Sequence, residues 1–440
     1  MLRAIHDYLV LKRRQKTYSK AQIDKLQLKL LRGVFQHAKQ HSPYYQRQFG
    51  NMDIRSLEDL RNLPTTNKTI MMDNFSDLNT CQIKLGDAMA YALQKELNKD
   101  YLGYYQKQYV IGLSSGTSGN KGLFITPKSL TKRLPAVFLA RGGVSLKDLP
   151  LRILFCLRVF SQGFSDINAP LIKLKYVSTM TPPKEIVDLI SSHRTNLLMA
   201  PPSLLRVLLP YAEQLKGKLK KIITYAEVLT TEDKSRFETA FAAKVVEIYQ
   251  ASEGQIASPC ELGNLHINED LVHVDLYDEN NNIIDTPHVI GHKMILTNLI
   301  NKAQPLIRYE MNDMIVLDEP CPCGSNFRTI KSILGRKDDL VYFPDQDNGV
   351  RCVFPDLFAR WIVTTSDSIR EFQVIQEEIG RLQIKIDAPQ DFDVAPLQRR
   401  LTAELEAYKL SAKIEIIIEA IELPKDKNKF KRFIANVKPN

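Results

Sequence analysis

Between Leu113 and Pro127 the chain reads LSSGTSGNKGLFITP. Ser114, Ser115, Thr117 and Ser118 bring hydroxyls, Gly116 and Gly119 bring backbone freedom, and Lys121 brings a mobile positive charge. Successive N–H groups in such a loop can form an anion-binding nest, and glycines let the backbone approach a phosphate closely. No G-x-x-x-x-G-K-[ST] pattern can be written through it, so it is not a Walker loop. Two readings stand at this point: a phosphate cradle, or the polar turn of a hairpin, because the apolar runs YVIGL and LFIT on either side read as strands. A second group carries metal chemistry. Cys260 and His266 lie in CELGNLH, and Cys321 and Cys323 lie in CPCG. Three thiols and one imidazole can close a tetrahedral structural zinc site with no open position for catalysis; otherwise they are buried thiols and a core histidine. Gly324 suits the tight turn such a knuckle needs. Lys425, Lys427, Lys429 and Lys431 form a third cluster, readable as a solvated basic tail.

The elements that must position these groups follow from composition and pattern. The chain has 440 residues, 44% hydrophobic and 25% charged, which implies about two to three domains. No apolar run reaches the ~18 residues of a membrane span, and the N-terminus lacks the uninterrupted apolar stretch of a signal peptide. Six cysteines without such a leader point to a reducing cytoplasm. The net charge of +10 fits phosphorylated ligands, acidic partners or anionic surfaces without choosing among them. Residues 1–100 read as helical; IDKLQLKLLRGVFQHAKQ has the spacing of a core-facing amphipathic helix. From about Val110 to Ile300, apolar runs such as LRILFCL, TNLLMAP, LKKIITYAE and AKVVEIYQ alternate with helical stretches. That alternation predicts a largely parallel sheet with helices on its faces. HVDLYDENNNIIDTPHVIGHKMILTNLI reads instead as strand, Asn-rich turn and strand, an antiparallel region. After Gly335 the order strand, strand, helix, strand predicts a compact α+β unit, so the chain divides near Arg336.

Taken in order, six stretches resemble the adenylate-forming enzymes, the superfamily of acyl- and aryl-CoA synthetases, luciferases and peptide-synthetase adenylation domains. SSGTSGNKG resembles their phosphate loop, TYAEVLT (224–230) their adenine segment, and YQASEG (249–254) their Y-G-x-T-E motif. LIRYEMND (306–313) resembles their R-Y-x-x-G-D motif, LGRKDD (334–339) their hinge, and LPKDKNKFKRFI their catalytic-lysine segment. The resemblance is strongest to the phenylacetate-CoA ligase-like branch, which includes the synthetase that adenylates a deazaflavin coenzyme. It implies an α/β (α+β) chain: a large multi-layer domain, 1–336, with mostly parallel sheets and a β-barrel-like region, and a small mobile domain, 337–440, on a hinge. It implies that Ser114, Ser115, Gly116, Thr117, Ser118, Gly119 and Lys121 hold the ATP phosphates. Ala226, Glu227, Tyr249 and Ser252 would line the nucleotide site, Asp313 would take the ribose hydroxyls, and Arg336 would face ribose and phosphate. Glu253 would hold Mg²⁺, and Lys429 would reach the α-phosphate as the catalytic lysine. Similar Cys/His pairs in the branch support Zn²⁺ at Cys260, His266, Cys321 and Cys323.

The chain departs from the pattern in places. The phosphate loop lacks the usual Pro before its lysine, Tyr225 stands where Gly is usual, Asn312 precedes Asp313, and Asn428 precedes Lys429. Asn tolerates a left-handed backbone better than most residues. The expected activity is ATP-dependent adenylation of a small carboxylic acid, aromatic by the branch. Transfer to the thiol of CoA or of an acidic carrier protein would follow. The alternatives are an adenylyltransferase acting on a hydroxyl and a non-catalytic ATP-binding protein of the same fold. No nucleic acid partner and no membrane span are expected, and a homodimer is left open.

Overall fold

The computed structural model describes residues 2–98, 102–113, 122–157, 162–179, 181–336, 339–344, 349–353, 355–363, 365–366, 368–421 and 430–437. The candidate phosphate-loop residues Ser114 to Lys121, the hinge residue Asp338 and Lys429 therefore lie outside the described residues.

The N-terminal hundred residues are mainly helical, as their pattern implies. The helix Lys20–His41 starts at a capping box between Ser19 and Gln22, which satisfies two otherwise orphaned backbone donors. It buries Ile23, Gln27, Leu31, Val34, Phe35 and Ala38, one face at helical spacing. Gln27 is the polar member of that stripe. Its amide donates to the carbonyls of Glu269 (2.9 Å) and Val272 (3.3 Å), and its oxygen faces His273 Nδ1 at 2.8 Å. The helix is thus keyed to the β region by hydrogen bonds as well as by apolar contact.

The alternating middle of the chain forms a five-stranded parallel sheet. Its order in space is Ile172–Val177, Leu151–Cys156, Leu197–Met199, Lys221–Thr224 and Lys244–Glu247. Helices Pro183–Ser192, Pro202–Leu208 and Thr231–Phe241 bury its outer face with Leu154, Leu198, Ile222 and Val245 at the contact. Sequence order reverses between Leu151–Cys156 and Leu197–Met199. In open α/β sheets that switch point, at the carboxyl ends of the strands, is where ligands bind.

The next segment makes two antiparallel sheets. One has six strands, from Ile290–Gly291 through Asp313–Leu317, Thr329–Arg336, Leu265–Ile267 and Gly254–Pro259 to Tyr249–Ala251. The other has four: Ile283–Ile284, Val272–Tyr277, Lys293–Asn298 and Tyr309–Met311. Their shared core takes in Leu31, Val34 and Phe35 of the N-terminal helix. The Asn-rich turn falls where the sequence places it, with Asn281 left-handed at φ 60°. The stretch expected to carry a phosphate loop is flanked by the antiparallel strands Tyr109–Leu113 and Leu123–Pro127.

The C-terminal domain has its own sheet, in the order Lys413–Ile418, Arg381–Asp387, Glu371–Glu378 and Phe433–Ala435, and its own core around Phe358, Trp361, Phe372 and Leu401. No helix among the described residues is long and apolar enough to cross a membrane.

Replacing Gln27 with Leu makes the helix face more apolar yet strands a buried carbonyl and His273. Gln27→Leu is expected to lower stability by about 1–3 kcal/mol, the cost of unsatisfied buried polar groups, read from urea unfolding against the wild-type chain.

Candidate active site

A cavity of about 1420 Å³ opens where three parts of the molecule meet. The carboxyl ends of the parallel strands supply Leu157, Met199, Tyr225, Ala226 and Glu227; the antiparallel sheets supply Tyr249, Ser252, Glu253, Tyr309, Asp313 and Arg336; the C-terminal domain supplies Phe430 to Phe433. The seven candidate nucleotide-site residues that are described, from Ala226 to Arg336, therefore line one space.

Its polar wall is built on strand pairing. Asp313 and Arg336 are opposite partners in adjacent antiparallel strands, which sets Asp313 Oδ1 3.5 Å from Arg336 Nε. The buried Tyr249 hydroxyl donates to Asp313 Oδ2 at 2.7 Å. Burial and the Asp313 charge hold the Tyr249 hydroxyl well above its ordinary pKa, so it remains a proton donor. Glu253 sits on the turn before strand Gly254–Pro259, half-buried, with Asn298 Nδ2 donating to its backbone carbonyl at 2.8 Å. Its carboxyl is pushed above the usual range, by burial first and by the like charge of Asp313. Its own backbone N–H, Arg336 and a hydrogen bond from Tyr309 oppose that shift without cancelling it. Arg336 is costly to bury, but Asp313, Asp339 and Glu253 more than offset this and keep its guanidinium charged. Two carboxylates, one arginine and two phenols thus face a single space, which Lys68 also borders.

The other wall is apolar. Phe155 meets Phe164 edge-on at 4.9 Å and Tyr225 edge-on at 5.4 Å, and Phe138, Met199 and Ile248 line the same end. The Tyr225 hydroxyl donates to the Cys156 carbonyl, pinning the ring across the sheet's switch point. Ala226, next in line, holds the left-handed φ of 66°, a conformation that costs a residue other than glycine and clusters at functional sites. Glu227 follows, its carboxylate accepting from the Ser203 backbone N–H (2.9 Å) and hydroxyl (2.7 Å).

Glu227 also belongs to a charge cluster that motif reading does not single out. Arg432 of the C-terminal domain lies 3.6 Å from Glu227 and forks onto Glu371 at 2.7 and 2.9 Å. Glu371 lies 3.6 Å from Arg206, which is itself paired with Asp233. Burial pushes the Glu371 carboxyl up, and the pull of Arg206 opposes it. In the sequence, Arg432 is hidden in a lysine-rich run, and Arg206 and Glu371 sit in ordinary helix and strand patterns. Tyr309, by contrast, stands in plain view inside LIRYEMND.

The four candidate metal ligands gather elsewhere. The ligand atoms of Cys260, His266, Cys321 and Cys323 all lie within 4.8 Å of one another, and none of these residues lines the cavity. Cys260 and Cys321 Sγ are 3.9 Å apart, and Cys323 Sγ is 3.5 Å from His266 Nε2. His266 Nδ1 is 2.8 Å from the Phe327 carbonyl, which fixes the ring and leaves Nε2 directed at the thiols, the orientation a metal-bound histidine adopts. Gly324, at φ 78°, makes the turn. The donor set and its geometry fit a tetrahedral zinc ion.

A family model described as the CapK C-terminal domain matches residues 351–436. The chain is 24% identical over 374 residues to a phenylacetate-coenzyme A ligase of Aromatoleum evansii, covering 78% of this chain and 79% of that relative. Among solved structures, 2-hydroxyisobutyryl-CoA ligase in the postadenylation state with R3-HIB-AMP matches with a TM-score of 0.73 at 18% identity, over 96% of this chain and 91% of that one. The same ligase in the thioesterification state matches with a TM-score of 0.61, again at 18% identity over 96% and 91%. These likenesses bear out the resemblance to the adenylate-forming superfamily and its phenylacetate-CoA ligase-like branch. The chain has that superfamily's fold.

The electrostatic account of Glu253 can be checked directly. Its carboxyl is expected to titrate above the ordinary glutamate range, to move down in Asp313→Asn and to move up in Arg336→Met, because a like charge disfavours ionisation and an opposite charge favours it. Carbon-13 NMR of glutamate-labelled protein, with Glu253→Gln to assign the signal, reads all three.

Proposed function

We propose that this adenylate-forming ligase activates a carboxylic acid with ATP and passes the acyl group to the thiol of CoA or of a carrier-protein arm. The observation that carries the reading is the single cavity shared by the Tyr249–Asp313–Arg336 group, Glu253 and an aromatic wall. In the first step a carboxylate oxygen attacks the α-phosphorus of ATP, the bond to the β-phosphate oxygen breaks, and pyrophosphate leaves. Thiolate sulfur then attacks the acyl carbon and AMP departs.

The residues divide these tasks by chemistry. Asp313 accepts hydrogen bonds from the ribose hydroxyls, as an ionised carboxylate can, while Tyr249 and Arg336 keep its oxygens oriented. Tyr249, Ser252, Ala226 and Glu227 border the adenine. Glu253 offers the oxygen ligand that a hard cation requires. Mg²⁺, when bound, neutralises charge on the triphosphate. Ser114 to Gly119 and Lys121 are assigned to the β- and γ-phosphates and Lys429 to the α-phosphate, where positive charge stabilises the crowded transition state. Phe138, Phe155, Phe164 and Tyr225 favour an aromatic acid. We place the boundary between the large and small domains at 336/337, just after strand Thr329–Arg336. Cys260, His266, Cys321 and Cys323 are assigned to structural zinc.

Pyrophosphate release is the test: aromatic and aliphatic acids, each with and without CoA. AMP with a thioester is expected; AMP left attached to a phenol would make the protein an adenylyltransferase, and absence of turnover would make it a binder. Glu253→Ala is expected to slow release by about two orders of magnitude, the scale for losing one electrostatic stabiliser.

Elemental analysis is expected to find about one zinc per chain. Cys323→Ser should lose the metal and lower the melting temperature, since structural zinc binding is folding free energy. Metal-free protein of unchanged stability would remove the assignment.

A further inference from the structure

The charge cluster at the domain boundary has an unusual division of bond lengths. Within the large domain, Arg206 Nε meets Asp233 Oδ1 at 3.1 Å. Within the C-terminal domain, Arg432 grips Glu371 in a two-pronged fork at 2.7 and 2.9 Å. The two contacts that cross between the domains, Arg206 to Glu371 and Arg432 to Glu227, are both 3.6 Å. Each domain therefore carries a complete ion pair of its own, and the crossing contacts are the weak ones. Arg206, Asp233 and Glu371 are all buried. Breaking a buried ion pair by removing one partner is strongly destabilising, but parting these domains removes no partner from either pair. Glu227 likewise keeps its two hydrogen bonds from Ser203. Arg206 Nη1 is buried without a hydrogen bond; the crossing carboxylate is what faces it while the domains are together, and water can take that place once they part.

We infer that Glu371 and Arg432 are positioning residues for the acid-activating step, forming with Arg206 and Glu227 a separable charge bridge that holds the C-terminal domain against the ATP edge of the large one. The inference rests on the proposed ligase reaction for its chemical consequence. Glu371 does not line the cavity, and Arg432 borders it beside Phe430 and Lys431; neither is assigned a contact with the reacting atoms. They act through the segment that carries Phe430 and Lys431, which border the cavity, and through Lys429, three residues before Arg432 in the chain. Glu227 adjoins Ala226 on the cavity wall, so the bridge ties that segment to the wall on which the nucleotide is placed. The bridge acts in the arrangement seen here. It must open for any other, and two self-sufficient pairs open without leaving a lone buried charge.

A charge swap separates this role from simple stability. In the double variant Glu371→Arg with Arg432→Glu, the pair inside the C-terminal domain is kept, but like charges now face Arg206 and Glu227. The expected result is threefold. Small-angle scattering shows a larger radius of gyration than wild type. Pyrophosphate release with ATP and an aromatic acid falls at least tenfold. Thioester formation from a supplied acyl-adenylate and CoA stays within about twofold of wild type. Glu371→Gln, which keeps the shape of the side chain, should shift the same readouts in the same direction by less, and covers the case in which the swap fails to fold. Unchanged scattering in a folded variant, or equal loss of both half-reactions, overturns the bridge. If wild type releases no pyrophosphate with any acid, the ligase reading fails, while the scattering comparison still decides whether the bridge holds the domains.

Discussion

Parallel strands cannot be joined by hairpins. Each of the first four strands of the sheet, from Leu151 to Thr224, must be followed by a crossover that returns over the face of the sheet, and that constraint arranges most of the molecule. It sends Pro183–Ser192, Pro202–Leu208 and Thr231–Phe241 to cover the sheet, and it leaves every strand's carboxyl end opening onto the same edge. Residues far apart in the chain, such as Leu157, Met199, Tyr225 and Glu247, therefore border one cavity without any pairing among themselves. The reversal of strand order beside Leu151–Cys156 leaves a gap in the connections, and Tyr225 reaches across it to the Cys156 carbonyl.

The antiparallel sheets solve a different problem. A carboxylate that is to bind a hydroxylated ligand must be held still, and holding it with positive charge alone would neutralise it. Asp313 is held from two sides by unlike means: a salt bridge from its cross-strand partner Arg336 and a neutral hydrogen bond from Tyr249. The ladder between Asp313–Leu317 and Thr329–Arg336 slips between Met314 and Ile315, so its twist is locally altered right beside the site, a common place for bulges. Glu253 also receives a tyrosine hydrogen bond, from Tyr309, and the attraction of Arg336, but burial and the charge of Asp313 outweigh them.

Much of this was legible before the structure. Period and composition place the parallel sheet, the Asn-rich turn and the strand-strand-helix-strand tail, because each depends on local pattern and on which side of an element is apolar. The candidate residues Ala226, Glu227, Tyr249, Ser252, Glu253, Asp313 and Arg336 were found as motifs and do converge on one cavity. What the sequence hides is pairing at long range. Nothing in PSLLRVL marks Arg206 as the neighbour of a glutamate 165 residues later, and nothing in LQLKLL marks Gln27 as the polar key to His273. Tyr309 stands in a recognisable motif, but its role does not show there: a buried tyrosine in a strand reads as core until its hydroxyl is seen to meet Glu253.

The Cys/His knot stands off the cavity, yet it adjoins a strand that reaches it. His266 pairs with Thr329, the first residue of the strand that ends at Arg336. Eight residues of extended chain make a rod of roughly 26 Å at about 3.3 Å each, pinned near one end by Cys321, Cys323 and His266. At the other end it carries the arginine of the polar wall and leads into the C-terminal domain. The knot works as an abutment for the strand whose far end pairs Arg336 with Asp313.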